Sequence, residues 1–373
     1  MKILATALVC GAFVASTATA DDFAGSDGYG KQHAVFVMTN DAEANEVIAY
    51  ERSPYGTLDN PRRYSTGGRG SGGTVDPLAS QGSLTLSEDG TALFAVNAGS
   101  GTVSLFRVLG SRLALTDRVN SGGSEPNAVA QHGKLVYVLN TAGSASVVGF
   151  RWDDGRLNRI ADSLRFLSGN FVDSASLAFS GDGRYLVVTE RTTNNLDVFR
   201  VLANGTLSPI KVNPSVGAGA FSVAFAANGA LLVSETGGAA GSAISSYSIV
   251  ADGALLPIST SVPTLGAANC WNVVSPDGRF VYASNAGTSS ISGFAIGAHG
   301  ALTPLAGTVV GMNPPDSANL DIAISSDGRF LYSLNAGSGT VGMFQIRPDG
   351  QLLNLGVLPG LPAAAGLNGI AAN

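Results

Sequence analysis

The feature that most constrains this chain is a phrase that recurs along it. Ser275-Pro-Asp-Gly-Arg-Phe-Val-Tyr-Ala-Ser-Asn285 and Ser325-Ser-Asp-Gly-Arg-Phe-Leu-Tyr-Ser-Leu-Asn335 are nearly superimposable. Weaker copies centre on Asp89-Gly90, His132-Gly133, Asp182-Gly183 and Asn228-Gly229, so the turn glycines stand 43 to 50 residues apart. Such pairs tolerate the positive φ of a tight hairpin turn. A second turn follows in each copy, at Gly110, Gly155, Gly205, Gly253, Gly300 and Gly350. Short runs of Val, Leu, Ile, Phe and Tyr lie between the turns, and no stretch keeps a helical period. Each unit therefore reads as four antiparallel strands.

A four-stranded unit at this period is a β-propeller blade, which buries its faces only against neighbouring blades. The 373 residues then form one ring rather than two or three average domains. The first unit begins at His33-Ala-Val-Phe-Val-Met-Thr-Asn40 with a second strand and lacks a first. Gly366-Leu-Asn-Gly-Ile-Ala-Ala372 resembles the first strands Pro126-Asn-Ala-Val-Ala130 and Asn319-Leu-Asp-Ile-Ala323. The expected fold is all-β, a seven-bladed propeller over 33–373 closed by a C-terminal strand, which removes exposed sheet edges.

Lys2, an apolar run from Ile3 to Val14, and Ala18-Thr19-Ala20 have the form of a secretory signal over 1–20, followed by a loose Gly-rich arm over 21–32. A secreted or periplasmic location follows, and Cys10 leaves with the signal. Cys270 then stands alone, excluding an intramolecular disulfide. No second apolar run reaches the roughly 20 residues of a spanning helix, so no membrane insertion is expected. A net charge of −6 without a basic stripe argues against nucleic acid. His33, His132 and His299 show no ligand spacing, so no metal is indicated. Gly68-Arg-Gly70-Ser-Gly-Gly73 matches G-x-G-x-x-G formally, but no helix pattern follows. It reads as a flexible loop in the first blade, and no cofactor is expected.

In a four-stranded meander, the loops from fourth to next first strand and from second to third strand share one face. Asn40, Asn97, Asn140, Asn285 and Asn335 end second strands there. Asn in such a place ordinarily caps a turn with its own side chain. Blade four breaks the rule with Glu190-Arg191, and blade five with Glu235, one residue shorter in register. Acids brought together near the axis acquire raised pKa values useful for proton transfer, although solvated or ion-paired rim residues would look the same. Inner-strand heads add Asn127, Trp271, Asn272 and Asp321 at the channel mouth. Trp271 offers a stacking wall for a ring-shaped ligand, or packs between blades; Asp321 orients substrate or bonds to nearby backbone.

The Ser-Pro-Asp-Gly-Arg-Phe-Val-Tyr-Ala-Ser-Asn285 signature, with phased copies over nearly the whole mature chain, resembles the seven-bladed propeller lactonases. That family includes propeller-type 6-phosphogluconolactonases and 3-carboxymuconate lactonising enzymes. Val136-Tyr-Val-Leu-Asn140 also looks similar to YVTN-type surface propellers. The resemblance implies hydrolysis or cycloisomerisation of a small lactone or lactone-forming acid at the channel mouth. Glu190 matches the family's middle-blade Glu and would move the proton. Arg191 would hold a carboxylate or the developing oxyanion, and Glu235, Asn272 and Asp321 would orient substrate or water. Family enzymes carry an Arg-His pair where this chain has Ser174-Ala-Ser176, and an Arg where it has Ala286. A neutral or modestly charged lactone therefore fits better than a phosphorylated one. A noncatalytic propeller serving as a protein or glycan platform is the alternative.

Overall fold

The computed structural model describes residues 33–237 and 241–373, so the expected signal and arm lie outside the described residues. The predicted strands pair into seven antiparallel sheets. Blade six shows the plan: Asn269–Val274 is innermost, followed outward by Phe280–Asn285, Ser290–Ile296 and Leu302–Met312. Ile370–Ala372 supplies the inner strand of blade one, pairing Val35 with Ala372 and Val37 with Ile370 across Ala34–Met38. The C-terminal strand thus closes the ring, as the sequence predicts.

The repeated phrase builds the hairpin between first and second strands. Ser275 Oγ donates to Asp277 Oδ1 (2.6 Å), which also accepts from Arg279 N (3.0 Å), and Phe280 N donates to Ser275 Oγ (3.0 Å). Gly278 takes φ +70°, a conformation that strains any residue with a Cβ. The Tyr of the phrase then latches the next blade: Tyr282 OH donates to Gly350 O (2.9 Å), Tyr332 OH to Gly56 O (3.0 Å) and Tyr137 OH to Gly205 O (2.7 Å). Second strands such as Phe280–Asn285 and Phe330–Asn335 are buried along their whole length, so the apolar core lies between blades. No helix among the described residues is long and apolar enough to cross a membrane.

The innermost strands run from a loop face to a turn face around the channel. Five of them begin with a register shift, between Pro126/Ala128, Ser174/Ser176, Ala220/Val223, Asn269/Trp271 and Asn319/Ile322. Bulges of this kind re-aim side chains where pairing begins. The connection from blade one to blade two, residues 66–83, is far longer than the five to seven residues that join later blades up to the seventh.

Candidate functional site

The long connection does not hang free. The structure packs 65–73 against the ring: Gly70 N donates to Asp41 O (2.7 Å) and Gly72 N to Asn40 O (3.0 Å). A Cβ on Gly68 would collide with Asn97, and one on Gly70 with Asn40. The glycines of the formal dinucleotide motif thus permit close backbone approach, which corrects the reading as a flexible loop.

Residues 74–81 then cross the channel mouth as a strap. Ser80 Oγ donates to Asn127 O in blade three (2.8 Å), and Gln81 N to Ala175 O in blade four (2.9 Å). Trp271 Nε1 of blade six donates to Ser80 O (2.9 Å). Gln81 Nε2 donates to Asn272 O (2.8 Å) and to Asp321 Oδ1 of blade seven (3.2 Å), and Gln81 Oε1 accepts from Asn272 N (3.3 Å). Asp76 Oδ1 accepts from Asn368 Nδ2 (3.0 Å) beside the closing strand. No sequence pattern marks this segment, because its partners lie 47 to 292 residues away. Its unusual length was the available signal.

Beside the strap, on the loop face, stands an ion pair. Arg191 Nε donates to Asp173 Oδ2 (2.7 Å), Nη2 bonds the same oxygen, and the guanidinium lies 5.7 Å from the Phe221 ring centre. Both charged side chains are about one-third exposed, at 34% and 38%. Asp173 holds φ +56°, a strained conformation that fits its place at a bulged strand head. Burial pushes the Asp76 carboxyl up to about 6, although the Asn368 hydrogen bond and the Arg191 charge pull it down. Burial also pushes the Cys270 thiol up to about 12, with the negative charge of Asp76 adding to the rise. Cys270 is therefore a neutral thiol rather than a nucleophile. Asp76, Arg191 and Asp173 form the charged group at this mouth.

Glu190 is held differently. It is fully buried, accepting from Ser168 N (2.8 Å), Ser168 Oγ (2.5 Å), Asn195 Nδ2 (3.2 Å) and Thr193 Oγ1. The buried carboxyl of Asp197 completes the cage. Burial and the hydrogen bond to Glu190 push Asp197 up to about 9. Burial alone would raise Glu190, but the bonds from Asp197, Ser168 and Thr193 outweigh it and hold Glu190 low. One proton, on Asp197, thus serves both carboxyls.

The other blades explain this arrangement. Asn97 Nδ2 donates to Ser104 Oγ (2.8 Å) and Asn285 Nδ2 to Ser292 Oγ (2.9 Å), each seven residues on, and neither Asn caps the short helix that follows it. These Asn residues are brackets between strands and connecting loop, not turn caps. A Cβ on Gly123 would lie 2.6 Å from Asn140 Cγ, and the glycines at 68, 217 and 266 pack likewise on Asn97, Glu235 and Asn285. Blade four replaces the Asn–Ser bracket with Glu190–Asp197.

Of the residues expected to share a site, the structure brings Arg191, Asn127, Trp271, Asn272 and Asp321 to the strap and its borders. Trp271 is 1% exposed, edge-on to Phe221 with ring centres 5.1 Å apart. Neither face is open, so it anchors the strap rather than stacking on a ligand. Asn127 Nδ2 donates to Ser174 O (2.8 Å), and Asn272 Nδ2 to Ser222 Oγ (2.8 Å) and Ser234 Oγ (3.1 Å). Asp321 lies below the strap, accepting from Ile322 N (2.9 Å) and Ile370 N (3.3 Å). Glu235 belongs to the bracket of blade five, accepting from Gly217 N (3.0 Å) and Ser261 Oγ (2.8 Å), and borders its own pocket of about 210 Å³. Asp76 was missed, since nothing in the repeat register marks it.

The model of the seven-bladed β-propeller lactonase family matches residues 131–271 and 273–358. No curated protein matches the chain. Among solved structures, a periplasmic gluconolactonase of Pseudomonas aeruginosa superposes with TM-score 0.67 at 20% identity, covering 90% of this chain and 99% of its own. A Bacteroides uniformis protein provisionally assigned as a 6-phosphogluconolactonase gives 0.67 at 19% identity, with 92% and 100% covered. A streptogramin B lyase gives 0.57 at 14% identity, with 80% and 90% covered.

Proposed function

This chain belongs to the seven-bladed β-propeller lactonase family, and from that membership and the strap-side charges we propose that it opens or closes a small lactone at the loop face. The observation that carries the reading is the placement of Asp76 on the strap, held by Asn368 Nδ2 (3.0 Å) and Ala79 N (3.1 Å) within reach of the Arg191 charge, where burial lifts its carboxyl to about 6. At neutral pH such a group is mostly ionised yet basic enough to take a proton. In the hydrolytic direction Asp76 accepts a proton from water as its oxygen bonds the lactone carbonyl carbon. Arg191 stabilises the charge that develops on the carbonyl oxygen, and Asp173 aims it. The ring C–O bond then breaks, and the proton on Asp76 passes to the leaving alkoxide to give the hydroxy acid. No cofactor takes part. Glu190 acts as a positioning residue, fixing the backbone beside Arg191. With one guanidinium at the mouth, a neutral lactone or one bearing a single carboxylate fits better than a phosphorylated one. An exported location, from the signal-like N-terminus, belongs to the same proposal.

The strap across the mouth favours a second reading, a noncatalytic platform that binds a protein or glycan on the loop face. Proton release from a lactone panel separates the two. The wild-type chain should turn over at least one lactone, Asp76→Asn should lose about 100-fold or more, and Glu190→Gln should retain most activity. Absence of turnover by the wild type, or full activity in Asp76→Asn, defeats the lactonase reading of this site.

A further inference from the structure

Below the strap the channel is a different environment. A cavity of about 430 Å³ opens on the turn face, where Glu88 and Gly181 stand at its rim. Its inner end is closed by Gln81 and Asp321. The walls are apolar, with Leu86, Val129, Leu177, Val223, Val273 and Ile322 contributed by six successive blades. That volume falls within the roughly 300–1,000 Å³ of small-molecule sites, and an apolar wall with a few convergent polar groups is their usual composition.

The inner end is rich in acceptors. Both ends of the Gln81 carboxamide are engaged, with Asn272 and Asp321. The Asp321 carboxyl accepts three N–H groups and faces no cation among the cavity's lining residues, whose only charged members are Glu88 and Asp321. A ligand head placed here must donate hydrogen bonds, and a positive charge is favoured over a neutral hydroxyl. The loop-face chemistry uses none of these groups, since neither Asp76, within the strap, nor Arg191 lines the cavity.

We propose that the turn-face channel is a second ligand site, taking a compact cationic amphiphile whose apolar ring or chain fills the tunnel and whose ammonium group bonds Asp321. Burial holds the Asp321 carboxyl up at about 7, so a buried ammonium would draw it into the ionised form and supply the missing counter-charge.

The probes are 1-naphthylmethylamine and its neutral analogue 1-naphthalenemethanol, titrated calorimetrically into the intact protein at pH 8. The amine should bind one to one and at least about tenfold more tightly than the alcohol, and Asp321→Asn, which keeps the shape, should erase that difference. Val273→Phe, which narrows the tunnel far from the loop face, should abolish binding while lactone turnover and the unfolding temperature stay as in the wild type. No amine binding, equal affinity for the alcohol, or amine binding unchanged in Val273→Phe would each overturn the proposal. Lactone turnover measured alongside amine binding keeps a failure of this site distinguishable from a failure of the loop-face reaction.

Discussion

Glu at the end of a second strand differs from Asn there by one methylene and a charge, and blade four shows what must change with it. The partner seven residues on becomes Asp197, whose proton replaces the donor that Asn97 or Asn285 carries in its own amide. Asp197 has a folded pKa of about 9, against roughly 3.9 in an unfolded chain. Between these values the unfolded state sheds the proton while the folded state keeps it, so this group's contribution falls as pH rises from about 4 to 9. Glu190, held low, has the opposite sign, contributing stability above its unfolded pKa that is lost only in acid. Asp197→Asn supplies a donor without a proton to lose. Thermal unfolding across pH 5–9 should show the variant more stable by about 1–3 kcal/mol at pH 8 and with a flatter alkaline slope; an unchanged slope would refute the shared proton. For Asp76 the consequence is kinetic. Kcat/KM for the lactone should rise with pH through a midpoint near 6, and Arg191→Gln should move that midpoint upward, since the guanidinium pulls the pKa down. The exception at Glu190 was legible in the sequence, but its meaning lay in the Asn–Ser spacing of other blades, which a position-by-position comparison does not weigh.

Among elements, the hairpins were the most readable because their chemistry is local. Ser, Asp and Gly lie within four residues and satisfy one another, so the phrase Ser-Pro-Asp-Gly predicts its own turn. The inter-blade latch was not readable, since its acceptor is a backbone carbonyl 68 residues away, at Gly350 for Tyr282. Tyr282→Phe leaves that carbonyl buried without its partner and should cost about 1–3 kcal/mol in denaturant unfolding. Gly350→Ala should cost more, because Gly350 holds φ +84° and an added Cβ would lie 2.7 Å from Phe280. If the Phe variant unfolds at the wild-type midpoint, the hydroxyl is not a latch. The strap was illegible for a related reason. Residues 74–81 carry no repeat register, and their contacts are set by the diameter of the ring, which no stretch of sequence states.

For the whole molecule, periodicity gave the blade count and the incomplete first unit gave the closure, because both are properties of order along the chain. Closure joins opposite ends: Asn373 N donates to Ala34 O (3.0 Å), Ala34 N to Asn373 Oδ1 (2.6 Å), and Arg52 of blade one meets Asp327 of blade seven at 2.9 Å. The chain ends of the ring are thus adjacent enough to be joined by a short Gly linker, with residues 1–32 removed and new termini opened before Ala364. This permutant makes every strand of blade one contiguous and leaves blades seven and one without a covalent link, held by packing, the Arg52–Asp327 pair and hydrogen bonds such as Tyr332 OH to Gly56 O and Ile370 N to Asp321 Oδ2. Its static contacts are those of the parent, so circular dichroism and lactone turnover should be preserved. Its unfolding should be faster, because in the parent blade seven cannot separate from blade one without also stripping Ile370–Ala372 from Ala34–Met38. Unfolding rates in denaturant measure this directly: equal rates for parent and permutant would mean that the ring owes its persistence to inter-blade packing alone, and a permutant that fails to fold would mean that closure is needed to form the ring at all.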